Sequence, residues 1–344
     1  MTATMTRSEG RSEKRTGASV SVQGFFTRHS ALMPTFAALA ILLLLFAGAE
    51  AFLRGDFITP RNISALLLDN AYLLILAVGM TFVIVTGGID LSVGSVMAFT
   101  GILGAKLLAE GMPVAIAIPV ILAGGAVIGL IIGVLVQYFN VQPFIASLAG
   151  LFLARGLAFV VSLSSIKVEE PAILWLQSTR FSVGGWYITP TGIIALLAVA
   201  VAAFVMHLTR MGRTVYAIGG SESSARLMGL KVARTKVMVY VISGFCAGLA
   251  GLVLTAYSGA GYPRNGIGTE LDAIAAVVIG GTLLTGGRGY VIGSMIGVFV
   301  YGTIKTIITF MGAEQSWMQI IVGALLLLFI VVQRAIVARS EGRG

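Results

Sequence analysis

The chain holds one cysteine, Cys246, and two histidines, His29 and His207, in 344 residues. The cysteine lies in an apolar run, which leaves neither a disulfide framework nor a thiolate metal cluster. The histidines are far apart in sequence and each flanks an apolar segment, so neither reads as a ligand. Charge is scarce as well: Asp, Glu, Lys and Arg make up 11% of the residues, against roughly 25% in a soluble domain. No Gly-Lys dipeptide occurs, so there is no phosphate-binding P-loop and no ATP hydrolysis by that route within this chain. His-Glu-x-x-His and Gly-x-Ser-x-Gly are also missing; no catalytic residue and no metal ligand is assigned.

Apolar residues fill the space these absences leave. They account for 57% of the chain and raise the mean hydropathy to +0.98, which defines a polytopic membrane protein. A hydrocarbon core of about 30 Å needs roughly 20 apolar residues per helix. Runs of that kind predict an all-α fold with ten spans: 32–53, 64–86, 92–109, 113–136, 143–164, 190–208, 237–258, 271–286, 289–311 and 317–335. The third and eighth are short and flanked by glycine. Residues 1–30 are polar with five basic side chains, and the run that follows is long for a signal-peptide core. Although Ala47-Gly48-Ala49 resembles a cleavage site, the reading is an uncleaved first span.

The one long polar interruption runs from His207 to Lys236. Arg210, Arg213, Arg226, Lys231, Arg234 and Lys236 face a single acid, Glu222, so the positive-inside bias puts this island in the cytoplasm. With the basic N-terminal tail inside, ten-span alternation returns the island, Arg288 and the C-terminal Arg334, Arg339 and Arg343 to the same side. That side collects fifteen of the 23 Lys and Arg residues. The net charge of +9 is thereby accounted for by topology, and nucleic acid is not an expected partner. The division is a cytoplasmic tail 1–30, a transmembrane domain 31–338 containing the cytoplasmic loop 209–236, and a tail 339–344. Segments 165–189, with Trp175 and Trp186, and 259–270 fall outside; the tryptophans read first as interfacial anchors.

Within the island, Gly219-Gly220 is expected to break the chain. Ser221 is a good N-cap for a short helix through Met228, with Gly229 as its stop. Glu222 and Arg226 form an i, i+4 pair. Ala225 and Met228 fall on one face, small and soft enough to enter a groove on another protein; the alternative is a helix lying on the lipid surface.

Two Gly-rich junctions join spans on the inner side, Thr86 to Ser95 and Ile279 to Gly289. Asp90 stands where it complements the positive end of the third helix. Charges at membrane depth are costly, which draws attention to Arg155, Lys305, Asp69 with Asn70, and Glu270 with Asp272. Arg155 is expected either to pair with a buried carboxylate or to touch a solute.

In chain order, Gly79-Met80-Thr81-Phe82-Val83-Ile84-Val85-Thr86-Gly87-Gly88-Ile89-Asp90-Leu91-Ser92-Val93-Gly94 resembles the signature of ribose-type sugar ABC transporter permeases. Val141 to Leu148, Arg155-Gly156, Gly212 to Gly220, Ala225 to Gly229, and Glu270 to Gly281 running on to Gly289 resemble further stretches of that family. The resemblance spans roughly residues 35 to 335, with Ser147, Ser221 and Ser224 departing from the usual residues. It implies an importer in a bacterial inner membrane, in which two permease copies form the pathway and separate ABC ATPase subunits dock inside, using ATP and Mg. A soluble sugar-binding protein delivers outside. No cofactor is expected on this chain.

On this reading the ATPase-coupling residues are Gly212, Arg213, Glu222, Ala225, Arg226, Met228 and Gly229. The translocation pathway or its helix junctions hold Gly87, Gly88, Asp90, Ser92, Gly94, Phe144, Arg155, Glu270, Asp272, Gly280 and Gly281. Rival readings are an importer of branched-chain amino acids or of a furanosyl signalling molecule, a stand-alone secondary transporter or channel, and, last, a membrane enzyme.

Overall fold

The computed structural model describes residues 33–52, 55, 57–312, 314 and 316–341. The tail 1–30 and Arg343 lie outside the described residues, as do the side chains of Arg334 and Arg339. In chain order the elements are α1 (Met33–Phe52), α2 (Pro60–Asp69), α3 (Ala71–Val85), α4 (Val93–Ala109), α5 (Val114–Tyr138), α6 (Pro143–Val161), β1 (Ile166–Lys167), α7 (Pro171–Ser178), β2 (Phe181–Val183), β3 (Trp186–Ile188), α8 (Pro190–Leu208), α9 (Arg210–Gly220), α10 (Glu222–Leu227), α11 (Val232–Ser258), β4 (Ala260–Gly261), α12 (Thr269–Ile279), α13 (Val291–Phe310) and α14 (Ser316–Glu341).

Several starts follow one rule. Thr59 accepts from the Asn62 amide at 3.2 Å ahead of Pro60, and Thr189 accepts from the Gly192 amide at 3.1 Å ahead of Pro190. In both, a side-chain oxygen satisfies an orphan amide while proline at the first helical position has none to lose.

Among the described residues six helices are long and apolar enough to cross a membrane, and α2 with α3, bent by 53°, make a seventh when taken as one span. The expected span 64–86 is therefore corrected: it starts at Pro60 and breaks at Asn70, whose side-chain amide donates to the Leu66 carbonyl at 2.8 Å and competes with the helical ladder. The span 271–286 is corrected too. Helix α12 has 11 residues, about 16 Å at 1.5 Å per residue, and stops at Gly280 and Gly281, the latter at φ +97°. Conversely, α11 begins at Val232 and takes in the last part of the basic island.

Helix α3 is the centre of the bundle; every residue in it except Tyr72 is buried, as expected of a helix apolar all round. Along the α5–α11 seam, Gly125, Gly129 and Gly133 let the backbones touch. A Cβ on Gly129 would run into the Tyr240 carbonyl, and one on Gly244 into the Gly125 carbonyl. Small residues four apart are what close packing in lipid requires. Gly129→Val is accordingly expected to cost about 2–3 kcal/mol through overpacking, read as a lowered midpoint of thermal unfolding in detergent; an unchanged midpoint would contradict this seam.

The two segments expected outside meet each other. Strands β1 and β4 pair antiparallel, Ile166 opposite Gly261. Strands β2 and β3 form a hairpin over Gly184 and Gly185, at φ +59° and +85°, the turn that suits two adjacent positive φ values.

Candidate functional site

The island folds as α9 and α10 laid against the bundle end. Thr209 caps α9, accepting from the Gly212 amide at 3.3 Å, and a Cβ on Gly212 would meet the Met206 carbonyl. Gly212 thus permits the tight turn from α8 and offers no docking surface. Gly219 and Gly220 are the last two residues of α9, so the break falls one position later than expected. There Ser221 caps α10, accepting from the Ser224 amide at 3.3 Å. Gly229, at φ +75°, ends it as expected.

Glu222 binds Arg226 at 2.6 Å and also Lys236 of α11 at 2.9 Å. Burial opposes its charge, yet the hydrogen bonds from Lys236 and Arg226 win and hold the carboxyl below its ordinary range. Its stabilising effect is therefore complete above the unfolded carboxylate pKa and lost as pH falls through the depressed folded value. Titration of Glu222 by NMR is expected to show that depression, and Lys236→Met to remove most of it.

Ala225 is not where the docking face was expected. It is 0% exposed, packed with Ile218 and Val232 in a small apolar cluster. A helix of six residues has only two faces, and α9 and α11 claim the one that carries Ala225. The exposed apolar tip is Leu227, 90% exposed, with Met228, 67% exposed; Arg213 is exposed on α9.

Behind α9 the two Gly-rich junctions come together. The Gly287 amide donates to the Val85 carbonyl at 2.9 Å, and a Cβ on Gly219 would overlap both that carbonyl and the Gly287 amide nitrogen. Gly87, Gly286 and Gly287 all have positive φ, which side chains adopt at a cost. Tyr216 of α9 donates to the Gly289 carbonyl at 2.6 Å, and His207 stacks on Tyr216 and Tyr290 with ring centroids 6.2 and 5.4 Å away. Gly280 and Gly281 serve a different contact: their Cβ atoms would meet the backbones of Gly293 and Pro34, on α13 and α1.

From this joint the segment 86–92 climbs back into the bundle. Gly88 passes the Tyr240 hydroxyl and Val83 too closely for a larger residue. Asp90 is fully buried. Its Oδ1 accepts from the Ser92 amide at 2.9 Å and the Ser92 hydroxyl at 2.6 Å, and its Oδ2 accepts from the Ser243 hydroxyl at 2.7 Å. Helix α4 starts immediately afterwards, so Asp90 lies near its positive end as expected.

From the other side, residues 262–268 run down α4. Gly261 packs on Gly101, Ile102 and Ala105, whereas Gly266 packs on Gly94 and Met97, a descent of about 11 Å along the helix. Arg155 holds this segment, donating through Nη1 to the carbonyls of Pro263 at 2.7 Å and Asn265 at 2.8 Å. Its direct hydrogen bonds thus go to backbone carbonyls, while the Glu270 carboxylate, a buried acid of the expected kind, acts on it electrostatically. Glu270 then sits beside Gly94, well below the outer mouth where it was expected. Asp272, one turn into α12, interacts with Tyr301 and Lys305 of α13.

Two non-helical segments, one from each end of the bundle, therefore meet where α4 and α12 begin. Irregular backbone at such depth requires burial in protein or a polar cavity. Ser95 Oγ and Glu270 Oε2 are buried there without a hydrogen-bond partner among the described residues. Phe144 stands apart from this node, 52% exposed on α6. Among the described residues no cluster of His, Cys, Asp and Glu is arranged to hold a metal ion.

Ser243, Tyr301 and Gly266 were not singled out in the sequence. Ser243 lies in an apolar run 153 positions from its carboxylate partner, and no local pattern links the two.

A body of long apolar helices with discontinuous helices inside it is that of a polytopic permease. The chain belongs to the family described as branched-chain amino acid transport system / permease component, which matches residues 62–330. It is 43% identical over 323 residues to the fructose import permease protein FruG of Bifidobacterium longum, covering 89% of this chain and 92% of that one. It is 45% identical over 290 residues to the inner membrane ABC transporter permease protein YjfF of Escherichia coli, covering 83% and 88%. The ribose import permease protein RbsC of Escherichia coli is 37% identical over 317 residues, covering 91% and 97%. No solved structure matches.

Proposed function

We propose that the chain is the membrane-spanning subunit of an ATP-driven importer that carries a monosaccharide without altering it. The observation that carries the sugar assignment is similarity along nearly the whole chain to relatives named as fructose and ribose import permeases. The family description names branched-chain amino acids, but these full-length relatives favour a sugar. Separate ATPase chains using ATP and Mg, a soluble sugar-binding protein and a second permease copy complete the assembly.

Ten crossings with both termini inside remain the topology of this reading. Helices α2 and α3 form one bent span, and α12 with the descending segment 262–268 forms the eighth. Supporting it, β1–β4 pairing joins two segments on the same predicted side, and α9 touches both junctions assigned to the opposite side. The pathway passes the node at Gly94, Ser95 and Glu270, where solute hydroxyls replace the missing partners of Ser95 and Glu270.

Proteoliposomes carrying the permease with its ATPase and binding protein are expected to accumulate labelled fructose, ribose or arabinose only with ATP inside. Uptake without ATPase chains would instead support a secondary transporter. Docking rests on Leu227 and Met228. Leu227→Glu with Met228→Glu is expected to reduce ATPase co-purification more than tenfold, the loss of about 1.4 kcal/mol or more, with thermal unfolding unchanged. Ala225→Arg should lower the unfolding midpoint instead, since it places a charge in a closed apolar cluster.

A further inference from the structure

A groove of about 440 Å³ lies between α1, α2, α13 and the β2–β3 hairpin, walled by Leu42, Phe46, Leu67, Phe181, Trp186 and Phe299 among others. That volume lies within the roughly 300–1,000 Å³ of small-molecule sites. Among the described residues that line it the one Ser, Ser64, already accepts from the Tyr187 amide at 3.0 Å. A hydroxyl-rich solute would find almost nothing to bond with, so this groove does not belong to the transport pathway.

The occupant has to be apolar inside the groove and anionic at its rim. Arg180 lies 5.6 Å from the centre of the Tyr187 ring. Arg61 follows Pro60, which lies beside the hairpin turn at Gly185. Both arginines are exposed. The nearby Glu50 carboxylate is engaged by the Ile58 amide at 2.6 Å. One wall, α1, turns Phe36, Leu39, Leu43 and Leu44 outward, so the groove adjoins the lipid boundary. Trp175, Trp186 and Tyr187 cluster at the same end, the residue types that settle at headgroup level.

We propose that this groove is a binding site for one anionic phospholipid, its acyl chain between α1 and α2 and its phosphate on Arg61 and Arg180. Guanidinium groups suit that role because their planar forks match phosphate oxygens. The bound chain would fasten the hairpin over α2. The assignment does not depend on what the permease carries.

The test uses the full chain in detergent with Trp175→Phe and Trp317→Phe, leaving Trp186 as the reporter. Brominated phosphatidylglycerol is expected to quench Trp186 saturably, at a concentration at least fivefold below brominated phosphatidylcholine. Arg61→Gln with Arg180→Gln should bring the two lipids together, and Leu67→Phe, which narrows the groove, should remove the saturable phase. Equal, non-saturating quenching by both lipids would overturn the site, as would a phosphatidylglycerol preference that survives the double glutamine variant. No ATPase, binding protein or solute enters this experiment, so its failure leaves the importer reading intact.

Discussion

Gly219→Val is expected to reduce solute uptake by more than tenfold while leaving ATPase binding in place. A valine here drives its Cβ into the Val85 carbonyl and the Gly287 amide. Both are backbone, so no side-chain rotation relieves the clash, and α9 has to lift away from the two junctions. The tip at Leu227 and Met228 lies on the far side of α10 and keeps its exposure. Docking and transport therefore separate, which simple unfolding would not produce. Gly220→Val is the control, since nothing lies within 4 Å of its added Cβ; uptake should stay within about twofold, a few tenths of a kcal/mol. The measurement is ATP-driven uptake beside ATPase co-purification. Normal uptake by Gly219→Val, or equal loss of co-purification, would falsify the joint.

The reason for so large an effect is the contact sequence. α10 packs on α9 through Ala225 and Ile218; α9 touches the 285–289 turn at Gly287 and Gly289. That turn bonds Val85 at the end of α3. Segment 86–92 leads from there to α4, and the same turn follows α12, so both helices that begin at the inner node are reached. Proximity alone does not establish energetic coupling. The paired measurements on Gly219 and Gly220 supply that evidence.

The parts of this architecture governed by short spacing were legible in the sequence. Ser221, Gly229 and the Glu222–Arg226 pair obey rules that act within four residues, and each appears where those rules put it. Asn70 and Gly281 were both named, but the helix breaks at them escaped because hydropathy averages over a window. The polar pair Asp69-Asn70 does not pull the average of the run 64–86 below threshold, and Leu283 and Leu284, between Thr282 and Thr285, prolong an apolar run beyond the end of α12. Ala225 misled for another reason. Both faces of a short helix can look apolar, and which one turns inward depends on Ile218 and Val232, contacts that α10 alone does not encode. The family signature around Gly87 to Gly94 marked the right segment, but its junction with Gly266 and Glu270 is a long-range fact.

Asp90 is the strongest case of that kind, and its substitutions should divide sharply. Asp90→Ala leaves the Ser243 hydroxyl, the Ser92 hydroxyl and the Ser92 amide without their shared acceptor in a fully buried site. Hydrogen bonds to such an acceptor contribute about 1.5–3 kcal/mol each if it is charged and about 1 kcal/mol if it is not. A loss of roughly 3 kcal/mol or more is expected either way, seen as a much lower unfolding midpoint and poor recovery from the membrane. Asp90→Asn keeps one carbonyl oxygen for Ser92, and its amide can donate to Ser243, because a hydroxyl both donates and accepts. That variant should unfold near the native midpoint and retain uptake within about threefold, under 1 kcal/mol. Native-like stability of Asp90→Ala would remove Asp90 as the anchor of the α4 start. A stable Asp90→Asn that fails to transport would show that the carboxylate itself is needed, beyond the hydrogen bonds it accepts here.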